Sequence, residues 1–100
     1  MSLFPADEVT FFRLVEQTFL LLTGRGLMLS ATDTARVRAW EATGVPARVV
    51  CEAVERAFAV HAAERGPRAR PLRSLAYCAP AVAEAIDGWR ERAVGDGHDV

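Results

Sequence analysis

The stretch VPARVVCEAVERAFAVHAAER, residues 45–65, decides how the rest of the chain is read. At 100° per residue, Ala47, Val50, Ala53, Val54, Ala57, Phe58 and His61 fall on one side of a helix, with Val49 and Val60 on its shoulder. Arg48, Glu52, Glu55 and Arg56 share the other side. About half the circumference is apolar, wider than the stripe of an ordinary surface helix. Such a helix needs neighbours on more than one side, so the flanking segments are read as helices that gather around it.

Upstream, a first helix is predicted over residues 7–23, with Asp7 as N-cap and Gly24 at the left-handed position that ends it. Phe11, Phe12, Val15, Phe19 and Leu22 form its apolar arc, but Leu14 and Leu21 lie nearly opposite Phe12. Either the helix is buried on two sides, or Leu14, Thr18 and Leu21 form a contact in a homodimer. The next segment, Gly24 to Leu29, carries two glycines but neither GxGxxG nor GxxxxGK[ST], and no strand precedes it, so a phosphate-cradling loop is not expected. Leu27 and Leu29 are expected to anchor a connector, leaving Arg25 outside.

Ser30 opens Ser-Ala-Thr-Asp, a capping-box variant in which Asp33 replaces the usual Glu or Gln. The helix it starts, residues 31–43, has Val37 and Trp40 as anchors, with Ala39 and Ala42 small enough for close approach, and Gly44 ends it. Pro46 is placed at the first position of the central helix, where a missing N–H costs nothing.

Past the Gly66-Pro67 breaker, ERGPRARPLR (64–73) sets Arg65, Arg68, Arg70 and Arg73 against a single acid, Glu64. An exposed, proline-bearing loop of this kind suits phosphates or a carboxylate-rich partner, although it contains no aromatic residue to stack on bases. From Ser74, the residues Leu75, Cys78, Val82, Ala85, Ile86 and Trp89 recur at helical spacing. Pro80 interrupts the backbone ladder, so a short turn over 74–78 and a new or kinked helix from Pro80 to about Arg92 are predicted. The last residues, GDGHDV, have nothing apolar to pack. The domain is therefore expected to span 1–94, with 95–100 a disordered tail.

One hundred residues suffice for one domain with a single core. A hydrophobic share of 51%, with 25% charged residues and a net charge of −1, excludes a disordered tail and a strongly basic nucleic-acid binder. All basic residues are arginine and asparagine is absent, a composition that GC-rich coding explains without guanidinium chemistry. Cys51 and Cys78 lack CxxC or Cys/His spacing and are read as small buried hydrophobes in a reducing compartment. No apolar run is long enough for a membrane span and the N-terminus lacks the regions of a signal peptide, so a cytoplasmic protein without membrane contact is expected.

Groups for chemistry are sparse. His61 is the one histidine that a fold positions, and Cys51 lies about 15 Å from it along the same helix, too far to react. Only Cys78 or Tyr77 can reach it through tertiary packing, and a core or boundary histidine is the plainer reading. No HxxxH, HxxE or DxDxDG spacing suggests a metal, and Glu84 and Asp87 lie on an outer face. No catalytic residue, metal or cofactor is expected.

The order of a GRGLMLS connector, a Trp-bearing helix, a GVP turn, an AVERAF helix and a segment from SLAYC to GW, about Gly26 to Trp89, resembles the C-terminal helical domain of bacterial DnaD and DnaB-type primosome proteins. The matching positions are Leu29 and Ser30, Ala53 to Ala57 with Val54 in place of an isoleucine, Tyr77 and Trp89. The resemblance implies a helical domain that works in replication initiation and contacts DNA. It departs from that pattern at Pro80, between the tyrosine and the tryptophan, and in the acidic tail, so no DNA-binding residue carries over beyond Trp89. The run from LMLSATD to SLAYC is also similar to uncharacterised bacterial proteins.

The fold expected is all-α, a compact orthogonal bundle of four helices, the last kinked or broken near Pro80. The function expected is a non-catalytic interaction module for a protein partner, in DNA replication if the resemblance holds. The alternative is direct nucleic-acid binding through Arg65, Arg68, Arg70 and Arg73 with Arg25.

Overall fold

Three glycine stop signals and one apolar helix face organise the chain. In the computed structural model, which describes residues 6–24, 28–66 and 72–98 (side chains from 11 to 93), these become helices α1 (Ala6–Thr23), α2 (Ala31–Ala42), α3 (Ala47–Arg65) and α4 (Ala79–His98). No strand occurs among the described residues, so the fold is all-α. Gly24, Gly44 and Gly66 end α1, α2 and α3 with φ of +70°, +85° and +85°, the left-handed region that a side chain disfavours. The Gly24 amide donates to Leu20 O and the Gly66 amide to Ala62 O, which satisfies carbonyls that the helix ends leave open.

Helix starts follow local chemistry, with two shifts. Ser30 caps α2, its hydroxyl accepting the Asp33 amide at 3.1 Å. Pro46 stands one residue earlier than expected: it is the N-cap of α3, with extended backbone, and its carbonyl accepts the Val49 amide. Asp7 lies inside α1, which already begins at Ala6, so it is not the cap. Before Pro80, residues 75–78 form a turn and α4 starts afresh at Ala79, where the proline sits in the first turn and interrupts no established ladder. The backbone stays helical to His98, so residues 95–98 continue α4 where a disordered tail was expected. Gly95 and Gly97 weaken a helix by about 1 kcal/mol each relative to alanine but do not forbid it.

The centre of the core is the inward face of α3. Val50, Ala53 and Val54 are fully buried there, with Val49 and Ala57 nearly so. α1 covers one flank through Phe11, Val15 and Phe19, and the Phe19 ring meets Phe58 edge to face at 5.8 Å. α4 covers the other through Val82 and Ile86, continuing the face begun by Leu75 and Cys78. Burying one such valine or leucine contributes roughly 1.5–3 kcal/mol, so this layer dominates the stability of the domain.

α2 is placed differently from expectation. The main helix pairings are α1 with α3, α3 with α4, and α1 with α2, so α2 leans chiefly on α1 rather than on the central helix. Val37 is its buried anchor and Trp40 a partly buried one, whereas Ala39 and Ala42 face solvent and mediate no close approach. The Arg38 guanidinium lies 4.6 Å from the centre of the Phe12 ring, a cation–π contact that ties α2 to α1.

Candidate interaction surface

Among the described residues Asp33 is a densely connected polar group, and its role was not visible locally. Its carboxylate is buried, and Oδ1 accepts hydrogen bonds from Ser74 Oγ (2.9 Å), the Leu75 amide (3.1 Å) and Arg36 (3.0 Å). Ser74 Oγ in turn accepts the Ala76 amide. Asp33 therefore does not complete a capping box. It fastens the start of the 72–78 segment, more than forty residues away, to the first turn of α2. A charge so buried is tolerable because three donors compensate its lost hydration.

Of the groups considered for catalysis, His61 and Tyr77 meet through their rings and both thiols are damped. The His61 ring meets Tyr77 edge to face at 5.4 Å. Burial pushes the Cys78 thiol up to about 11, and the nearby Asp33 charge adds to the rise. Such a thiol is a weak nucleophile at neutral pH. Cys51, half-buried rather than fully buried as expected, also has a raised pKa: burial raises it most, a hydrogen bond with Thr18 opposes the rise, and the Glu55 and Glu52 charges reinforce it. Among the described residues no group of three or more His, Cys, Asp or Glu side chains is arranged to hold a metal ion. None of the described helices is long and apolar enough to cross a membrane.

Two surface features remain. The first is a ridge on α1, where Leu14 is 43% and Leu21 82% exposed, with Leu22 and, on the following connector, Met28 also open. Leu22 was expected inside the arc and instead lies at its edge. Thr18, expected between the two leucines in a dimer contact, is half-buried and engaged with Cys51 on α3.

The second feature is a groove along the seam of α3 and α4. At the end nearest the 75–78 turn it is apolar, about 500 Å³, lined by Ala57, Val60, Tyr77, Pro80 and Ala81. Towards the C-terminal half of α4 it becomes charged, about 460 Å³, with Arg48 and Glu52 on one wall and Glu84, Asp87, Glu91 and Arg92 on the other, the Arg92 guanidinium lying over Gly88. Arg56 lines both parts. None of these charged side chains makes an ion pair within the described structure, whose salt bridges are Arg36–Asp33 and Arg38–Glu41. The sequence pattern showed Val60 on a helix shoulder but could not show that α4 would stand beside it.

The arginines singled out earlier are only partly placed. Arg65 and Arg73 are exposed at the two described ends of their loop, and Arg73 lines a separate cavity of about 630 Å³ beside Leu29, Asp33 and Leu72. Arg25, Arg68 and Arg70 lie outside the described residues, as does Leu27, whereas Leu29 is buried as expected.

A family model described as "Uncharacterised protein" matches residues 10–97. No curated protein and no solved structure matches the chain. Nothing in these comparisons links it to the DnaD and DnaB-type proteins.

Proposed function

Since the chain belongs to that family of uncharacterised proteins, with no activity to carry over, we propose its function from the surface alone: a non-catalytic helical module that holds a protein partner. The observation that carries this reading is the α1 ridge. Leu21 sits in the last turn of a well-packed helix with 82% of its surface in water, and Leu14, Leu22 and Met28 (75% exposed) accompany it. Scattered apolar residues are normal on a surface, but four large ones on one helix and the connector that follows it mark a contact site. The damped thiols and the His61–Tyr77 ring contact support binding rather than bond-making.

The test is site-specific photo-crosslinking of the full chain in its own cells, with a photoreactive residue at Leu21 and, as control, at the exposed Ala39 on α2. The reading expects a discrete protein adduct from Leu21, lost when Leu14 is changed to Glu, and none from Ala39. Equal or absent adducts at both positions would overturn it. A DNA fragment bound with steep salt dependence, and released by Arg65→Ala with Arg73→Ala, would instead establish the nucleic-acid alternative.

A further inference from the structure

We propose that the cavity between the end of α1, the start of α2 and residues 72–73 binds a free amino acid with a large apolar side chain. This goes beyond the partner reading and does not depend on it.

The argument of the site is a buried carboxylate with acceptor capacity to spare. The Asp33 side chain is 3% exposed and lines the cavity. All of its hydrogen bonds among the described residues fall on one oxygen, Oδ1, which takes Ser74, the Leu75 amide and Arg36. Oδ2 takes none of these donors, yet it is not sealed off from solvent. It is therefore open to a donor that arrives through the cavity. A buried anion gains most from a donor that is itself charged, and an α-ammonium presents three N–H groups on a compact head.

The rest of the lining sorts by chemistry. Phe19, Leu29 and Leu72 are buried residues that also wall the cavity, and Met28 stands at its edge, 75% exposed, with a flexible side chain that can close over an apolar guest. Arg73 is exposed, lines the same cavity and makes no ion pair among the described residues. It adjoins Ser74, the residue fastened to Asp33, so the tie keeps a guanidinium close to the carboxylate. An ammonium for Asp33, a carboxylate for Arg73 and an aliphatic side chain for the wall describe one class of molecule. The volume of about 630 Å³ is that of a small-molecule site and admits such a ligand whole.

Isothermal titration calorimetry of the full chain with L-leucine tests this, against isocaproate, which lacks the ammonium, and isoamylamine, which lacks the carboxylate. Leucine is expected to bind at one site per chain, isoamylamine at least tenfold more weakly, and isocaproate not at all. Asp33→Asn keeps an oxygen for Ser74 and Leu75 while removing the charge, and is expected to weaken leucine at least tenfold. Circular dichroism checks its fold, and the ligand series on wild-type chain decides the matter if that variant unfolds. Arg73→Gln is expected to bring leucine down to the affinity of isoamylamine and to leave isoamylamine unchanged. No binding of leucine at millimolar concentration, isocaproate bound as well as leucine, or leucine binding that ignores Asp33→Asn would overturn the site. A leucine-led tripeptide bound more tightly than leucine, and indifferent to Arg73→Gln, would overturn the free amino acid in favour of a chain N-terminus.

Discussion

The inner face of α3 and the outer face of α1 carry the same kind of residue and meet opposite fates. Val50 and Val54 are completely excluded from water, whereas Leu21 stands 82% exposed. Both faces are apolar in excess of one packing stripe. The difference is supply: α3 has α1 on one flank and α4 on the other, while the second apolar side of α1 is left exposed by the described residues, α2 leaning on the Phe12 side. Apolar pattern fixes a demand for burial, and chain topology decides which demands are met at home.

The sharpest way to break this comparison is to put a charge on the inner face. Val54→Asp would bury a carboxylate with no donor, a cost of several kcal/mol set against a typical domain stability of about 5–15 kcal/mol. The variant is expected to lose its cooperative melt by circular dichroism. Leu21→Glu on the outer face is expected to leave the melt unchanged, so equal effects would erase the distinction.

Next comes the polar tie. Asp33→Ala leaves the buried Leu75 amide without its acceptor and frees Ser74, and should cost about 2–4 kcal/mol in urea unfolding. Glu41→Ala, which removes only the exposed bridge to Arg38, should change stability by less than about 0.5 kcal/mol. A similar loss for both would mean that Asp33 does not hold the 72–78 segment.

Alkaline titration probes the same corner. Folding holds the Cys78 thiol above its ordinary value of 9.0, at about 11, so the unfolded chain gives up this proton first. The associated stability is present below pH 9 and declines as pH rises towards 11. Cys78→Ala should flatten that decline, and its thiol should react with a disulfide reagent more slowly than the same cysteine in urea. A small effect is also expected from Arg38→Ala, about 0.5–1 kcal/mol for a cation–π contact at an exposed site.

Much of this fold was legible in the chain because the signals are local. Ser30, Gly24, Gly44 and Gly66 mark helix ends through their own backbone and side-chain chemistry, and the buried arc of α3 follows from 3.6-residue periodicity. Pro80 marks the interruption for the same reason. Asp33 shows where such reading stops: its spacing from Ser30 suggested a capping box, and its carboxylate instead serves a segment distant in sequence. Periodicity gives the angle of a face but not the neighbour across from it. The ridge was half legible, since Leu14 and Leu21 fell off the arc, but Thr18 was claimed by Cys51 only once α1 and α3 were side by side. The groove required knowing that α4 returns along α3, and no local pattern encodes that.

The account turns on one asymmetry, that α3 is enclosed by its own chain while part of α1 is left for another. Hydroxyl-radical footprinting of dilute, monomeric protein reads both faces in a single experiment. The account predicts strong labelling of Leu14, Leu21 and Met28 with protection of Val50, Val54 and Leu75; labelling of Val54, or protection of Leu21 in the monomer, would contradict it.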